Sequence, residues 1–183
     1  SIEIPHLCYK EGMRPDGNCR VCMVEIEGER VLQPSCVRTV TDGMIINTST
    51  ERVTHSQKLV LELLTSDVSE EVYTQDNELT TWANKLQIQT HRFPSNIQDK
   101  LDTSHPAITV NLGACIQCTR CVRACREEQV NDVIGYAHRG IKSEIVFDIN
   151  DPMGESTCVG CGECVQACPT GALMPSKEVG LTI

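Results

Sequence analysis

Aromatic residues are scarce in this sequence: one Trp, three Tyr and two Phe among 183 residues. So few large apolar side chains leave little from which to build an extensive core. A chain of this length must then draw stability from something besides apolar burial. A basic excess is also missing. Sixteen Lys and Arg face twenty-five Asp and Glu, a formal charge of −9, which excludes the basic face of a nucleic-acid binder. No apolar run approaches the length of a membrane span, and no signal-peptide apolar region is visible. The expectation is a soluble, cytoplasmic chain with no membrane insertion and no nucleic-acid partner. No Ser-His-Asp set, phosphate loop or Gly-x-Gly-x-x-Gly fingerprint is present, so no catalytic residue or substrate site is read from the sequence.

What the chain has is cysteine. Its twelve Cys fall into three groups of four. The second, Cys115, Cys118, Cys121 and Cys125, and the third, Cys158, Cys161, Cys164 and Cys168, share one spacing, C-x2-C-x2-C-x3-C. They repeat at an offset of 43 residues, and six of the eleven positions are identical. Three thiols within seven residues cannot all find distant partners with good S–S geometry, so a disulfide framework does not fit. Zinc also takes four thiolates, but usually from paired C-x2-C knuckles set well apart. Three thiolates on one tight loop instead wrap one face of a cubane. The run, completed by Pro169 after the third group, is the bacterial ferredoxin signature for [4Fe–4S] ligation. In two-cluster ferredoxins the fourth Cys of each run ligates the other cluster. The expected sets are Cys115, Cys118 and Cys121 with Cys168, and Cys158, Cys161 and Cys164 with Cys125. Arg126 stands where the first run would carry its Pro. Either its charge raises that cluster's potential, or it points to solvent or pairs with an acidic neighbour.

The first group, Cys8, Cys19, Cys22 and Cys36, is spaced C-x10-C-x2-C-x13-C. The plant-type [2Fe–2S] signature has four residues in the first gap, but the sense is preserved: three thiolates on a loop and one further on. Gly12, Pro15, Asp16 and Gly17 make 9–18 turn-rich. Residues 23–32 alternate apolar and charged side chains around Gly28, the pattern of a β-hairpin. This group is read as a [2Fe–2S] site, with a four-thiolate zinc site as the alternative. The five His residues, His6, His55, His91, His105 and His138, have no metal-site spacing and are read as surface or packing residues.

Between the Cys-rich ends, Thr48-Ser-Thr-Glu51 reads as a capping box opening a helix to about Thr65. Val53, Val60, Leu61 and Leu64 lie on one face of it. Asp76 is the expected cap of a second helix carrying Leu79, Trp82, Ala83 and Leu86, with Trp82 packing between the two halves. Residues 66–75 are read as an acidic loop, 88–106 as irregular, and Ser143–Asp148 as a strand. The fold class is therefore α+β. A [2Fe–2S] ferredoxin-like domain (1–48) leads through a helical linker without Cys (49–106) to a bacterial-type 2[4Fe–4S] ferredoxin-like domain (107–183).

Ile4-Pro-His-Leu-Cys-Tyr9, Cys19-Arg-Val-Cys-Met-Val-Glu25 and Pro34-Ser-Cys36 resemble the [2Fe–2S] domain of the complex I large iron–sulfur subunit family. The runs 115–126 and 158–173, with Asn131-Asp-Val-Ile-Gly135, resemble more particularly the N-terminal electron-transfer region of the alpha subunit of NAD-dependent molybdenum or tungsten formate dehydrogenases. The resemblance implies a relay between a formate-oxidising metal-pterin site and a flavin that reduces NAD. The molybdopterin and the flavin would lie elsewhere: in a metal-pterin catalytic domain, in the same polypeptide or an adjacent chain, and in a flavin/NAD diaphorase subunit. It also implies a hairpin and helix upstream of Ile4, and hence a [2Fe–2S] domain truncated at its N-terminus within a segment of a larger polypeptide. Complex I-type relatives carry a His-and-Cys [4Fe–4S] motif after the first helix. Residues 66–106 here contain no Cys, so that cluster is not expected. The alternatives are the relay subunit of an NAD-linked hydrogenase or complex I-like enzyme and, in another class, a structural zinc-binding module.

Overall fold

The computed structural model describes residues 2–69, 77–88, 92–98 and 100–176. Its first sheet is built around β1 (Met23–Ile26), whose Val24 and Ile26 point inward. This strand pairs antiparallel with β2 (Gln33–Pro34), Met23 opposite Pro34, and with β3 (Ile46–Asn47), Glu25 opposite Asn47. The hairpin expected over 23–32 is present with a wider turn. The return strand starts only at Gln33, and Gly28 takes φ +83° in between, a conformation open to glycine at little cost.

Helix α1 (Glu51–Ser66) starts later than a capping box at Thr48 would place it. Thr50 is the cap, and its side chain accepts from the Val53 N–H at 3.2 Å. Strand β3 holds the backbone extended through Asn47, and Thr50 is still extended at ψ 159°. Glu51 is thus the first helical residue, where its charge favours the N-terminal end of the helix dipole. Val53, Gln57 and Leu61 form the buried stripe, flanked by the partly buried Val60 and Leu64. Helix α2 (Glu78–Lys85) is capped by Asn77, which accepts from Thr80 N–H at 3.0 Å. The expected cap, Asp76, lies outside the described residues, as does most of the expected loop over 66–75. Among the described residues no helix is long and apolar enough to cross a membrane.

In the C-terminal half, β5 (Ile108–Asn111) is buried along its length between β4 (Leu101–Asp102) and β8 (Leu173–Pro175). Ile108 stands opposite Pro175 and Val110 opposite Leu173. Among the described residues, strand β4 is the one ordered element within the stretch read as irregular. The strand expected over Ser143–Asp148 is β7 (Glu144–Phe147), and it pairs throughout with β6 (Ile134–Ala137). Short helices α3 (Arg120–Arg123) and α4 (Glu163–Ala167) follow the two Cys loops.

Two apolar clusters hold this together, and both are built partly from cysteine. One gathers Val110, Val122, Ile134, Phe147 and Met153 around Cys121, Cys125 and Cys164. The other gathers Leu7, Val21, Leu61, Leu79 and Trp82 around Cys8, Ile116 and Cys118. Trp82 therefore packs between the N-terminal unit and the first Cys loop of the C-terminal unit, as expected.

The turn Met153–Glu155 is pinned to residues 102–105. Asp102 accepts from Met153 N–H at 2.7 Å, and Ser104 Oγ accepts from Gly154 N–H at 2.8 Å. A Cβ on Gly154 would lie 2.5 Å from the Ser104 carbonyl carbon, which is backbone and cannot swing aside. Gly154→Ala is expected to destabilise the chain by about 1–3 kcal/mol. Each kcal/mol lowers the melting midpoint by roughly 2–4 °C in a chain of this size. A thermal melt with an unchanged midpoint would contradict this packing.

Candidate metal centres

All twelve cysteines are free thiols in the structure. The first four come from a loop (Cys8), the turn before β1 (Cys19 and Cys22) and the segment after β2 (Cys36). Cys8 and Cys19 exchange contacts: each backbone N–H donates to the other's sulfur, at 3.4 and 3.5 Å. The Cys19 thiol hydrogen-bonds to Cys8 and outweighs burial there. With the backbone N–H groups of Cys19 and Asn18 and the Arg123 charge, it holds Cys8 at about 5. Cys19 is pushed up correspondingly. Cys36 is pushed up to about 12 by burial and by its neighbours Cys22 and Cys8. Cys8 thus sits within electrostatic reach of Cys19 and Cys36, and Cys36 within that of Cys22.

The other eight thiols divide between two cavities, four in each. The first cavity is lined by Cys115, Cys118, Cys121 and Cys168, with Leu112, Ile116, Ile145 and Leu173 among its apolar walls. The second is lined by Cys158, Cys161, Cys164 and Cys125, with Ile108, Val133 and Ile134. Each run therefore places three sulfurs in one cavity and its fourth in the other. The same partition appears in the electrostatics. Burial chiefly, then Cys168, raises Cys118, and burial with a backbone N–H opposing and Cys168 reinforcing takes Cys115 to about 12. Burial takes Cys164 to about 12, reinforced by Cys158, Cys161 and Cys125. Cys121 is raised by burial and feels both its own group and Cys164, so the two cavities adjoin. Among the described residues no three His, Cys, Asp or Glu side chains converge on one point as ligands of a single ion do. In both cavities the sulfurs stand around a space.

The loops that present these thiols share one backbone trick. Gln117 and Thr119 in the first run have φ +55° and +65°, and the equivalent Gly160 and Gly162 in the second have +66° and +82°. These left-handed residues curl the chain so that successive N–H groups face inward, a shape that favours negative charge. Gln117 N–H donates to Cys115 Sγ and Gly160 N–H to Cys158 Sγ, both at 3.4 Å. Val133 N–H donates to Cys125 Sγ at 3.4 Å. Such donors favour thiolate over thiol. A β-branched residue at positive φ is strained. The Thr119 hydroxyl has two acceptors in reach for its one proton, the Asp16 carboxylate at 2.7 Å and the Cys118 carbonyl at 2.6 Å, and donating to either holds the residue there. Four soft sulfur donors around a space, N–H groups aimed at sulfur and apolar walls are the chemistry that an iron–sulfur cluster requires.

Arg126 takes the bland option: it is exposed and pairs with Asp132 at 2.5 Å. Among the histidines, His105 is buried, its Nδ1 accepting from the Ala107 and Ile108 N–H groups at 3.2 Å and its ring lying against Gly160. His6 packs against Tyr9 and Trp82. His91 lies outside the described residues. The residues that sequence reasoning missed are Arg120 and Arg123, both buried on the first Cys loop and its helix.

Comparison with known proteins agrees with this geometry. Residues 1–51 match the family described as 2Fe-2S iron-sulfur cluster binding domain, and residues 114–172 match the 4Fe-4S dicluster domain. The chain is 35% identical over 191 residues to NADP-reducing hydrogenase subunit HndD of Solidesulfovibrio fructosivorans, covering 97% of this chain and 32% of that one. It is 33% identical over 184 residues to the G 2 chain of the NADH-quinone oxidoreductase of Rhizobium meliloti (strain 1021), covering 94% and 21%. A provisionally named formate dehydrogenase of Staphylococcus haemolyticus (strain JCSC1435) is 30% identical over 186 residues, covering 97% and 18%. The chain therefore spans a third or less of the length of these curated relatives. Among solved structures, an NAD+-reducing [NiFe]-hydrogenase in its H2-reduced state superposes with a TM-score of 0.88 at 27% identity, covering 99% of this chain and 78% of that one. The fold is thus a 2Fe-2S domain followed by a 4Fe-4S dicluster domain, in a mixed α and β arrangement.

Proposed function

We propose that the chain is an electron relay within an NAD-linked oxidoreductase. The observation that carries this reading is the division of eight thiols between two adjoining cavities, four in each, with the runs crossed. When bound, iron–sulfur clusters supply reversible one-electron redox chemistry. The proposed ligands are Cys8, Cys19, Cys22 and Cys36 for a [2Fe–2S] cluster. Two [4Fe–4S] clusters are held by Cys115, Cys118, Cys121 and Cys168, and by Cys158, Cys161, Cys164 and Cys125. The division 1–48, 49–106 and 107–183 is proposed with them. The protein's own part is to hold thiolates, aim N–H groups at sulfur and keep water from the apolar walls. The order of the relay follows from packing: Cys8 and Cys118 share one apolar cluster, and Cys121 and Cys164 link the two cavities. A reducing compartment such as the cytoplasm keeps such thiols available to metal.

The motifs of both [4Fe–4S] runs favour formate as the electron source, with a metal-pterin domain and a flavin/NAD subunit as partners. The likeness to a hydrogenase subunit and to a hydrogenase structure supports a second reading, in which hydrogen is the source. About ten irons per chain are expected from one two-iron and two four-iron clusters, with equal acid-labile sulfide and no zinc. Stoichiometric zinc without iron would end the relay reading. In the native complex, formate but not hydrogen should elicit the reduced-cluster EPR signals; the opposite result selects the hydrogenase reading.

A further inference from the structure

Arg120 and Arg123 are 2% and 4% exposed. They lie on the short segment between Cys118 and Cys125, where the first [4Fe–4S] site meets the [2Fe–2S] site. Arg123 Nη2 donates to the carbonyl of Cys8, itself a [2Fe–2S] ligand in the proposed set, at 2.6 Å, and Nη1 donates to Arg14 O at 2.5 Å. Arg120 donates to Tyr9 O and, at 3.5 Å, to Ala167 O, next to Cys168. Its guanidinium also makes a forked pair with Glu78, at 2.7 and 2.9 Å. Among the described residues Arg123 has no carboxylate partner, and the buried Nε of each arginine has no acceptor within the protein. A buried cation without a counter-charge is costly. Thiolate-bound iron–sulfur clusters carry net negative charge, which increases on reduction, so each site would supply what its arginine lacks. The Arg123 charge is felt at the Cys8 sulfur and the Arg120 charge at the Cys118 sulfur.

Resting on the relay reading, we propose that Arg120 and Arg123 are positioning residues that set the energy step between the [2Fe–2S] centre and the adjoining [4Fe–4S] centre. Arg123 is uncompensated and raises the potential of the first. Arg120 raises that of the second by less, because Glu78 offsets part of its charge. Reduction adds one electron from the reductant to a cluster, with no bond made or broken, and a fixed cation beside the cluster favours the more negative state.

The test is a potentiometric EPR titration of the loaded chain, with dithionite as reductant. Arg123→Gln should keep full iron and both cluster signals while disfavouring reduction of the [2Fe–2S] centre by about tenfold, 59 mV for a one-electron couple. Arg123→Lys keeps the charge and should stay near the wild-type potential. Glu78 is partly exposed, so Glu78→Gln is tolerated, and it should move the adjoining [4Fe–4S] potential upward. Unchanged potentials in fully loaded Arg123→Gln or Glu78→Gln would overturn the proposal. So would a fall in Arg123→Lys as large as that expected for loss of charge. If Arg123→Gln takes up no iron, Arg123→Lys and Glu78→Gln decide alone. A wild-type chain that binds no iron would instead be a failure of the relay reading.

Discussion

Stripping the iron from this chain is expected to abolish its cooperative thermal unfolding. Among the described residues the strands are two to four residues long and α1 is the one helix above eight. The two apolar clusters are completed by Cys8, Cys118, Cys121, Cys125 and Cys164. Without metal, Cys118, Cys121, Cys125 and Cys164 border cavities, and burial disfavours the thiolates of Cys118, Cys121 and Cys164. Dispersion contacts across the cavities are lost, while ordering the loops still costs chain entropy. Structural zinc sites contribute roughly 10–16 kcal/mol, as much as the whole stability of an ordinary domain, about 5–15 kcal/mol. Ligation at three sites would therefore account for most of the folding free energy here. Scanning calorimetry of the loaded and chelator-treated chain checks this. A treated chain that still melts in one sharp transition near the original midpoint would contradict it.

The second large effect concerns which thiols belong together. With crossed runs, Cys118→Ala and Cys168→Ala disable the same cluster, so the double variant should lose no more iron than either single one: about four irons gone and six kept. Combining Cys168→Ala with Cys161→Ala, from the same run, should remove both four-iron clusters and leave about two irons. If each run held its own cluster, these two results would be exchanged. Each single variant should also melt well below the parent, because Cys121 and Cys164 sit in one apolar cluster and loss of one site loosens the walls of the other. Iron and sulfide counts on protein purified cold, with melts of the same samples, distinguish the alternatives.

Several elements are legible without the structure because their causes are local. The tight Cys spacing allows few chemistries, and it carries the expectation of crossed runs; the cavities place Cys168 beside Cys115 and Cys125 beside Cys158. The amphipathic stripe of α1 and the alternation of β1 are patterns within a few residues. The start of α1 is not legible in the same way. Thr48 and Thr50 both satisfy the chemistry of a cap, and strand pairing at Asn47 decides which is free to act. Strand β6 is hidden for a similar reason, since Ile134–Ala137 is held extended by its pairing with β7.

By itself, the sequence determined that this protein is an acidic chain with three groups of four cysteines, in a spacing that favours iron–sulfur ligation. Ligand type and loop spacing are covalent facts. Only the tertiary structure decided which charges are buried. Nothing in the local pattern singles out Arg120 or Arg123, whereas Arg126 stands at the Pro position after a Cys run. Their burial depends on Cys8, Tyr9 and Glu78, between 42 and 115 residues away in the chain. Arg126 pairs with Asp132, six residues on, and stays in solvent. Burial of a long charged side chain is fixed by the backbone carbonyls and carboxylates that other elements bring to it, and no local pattern encodes that.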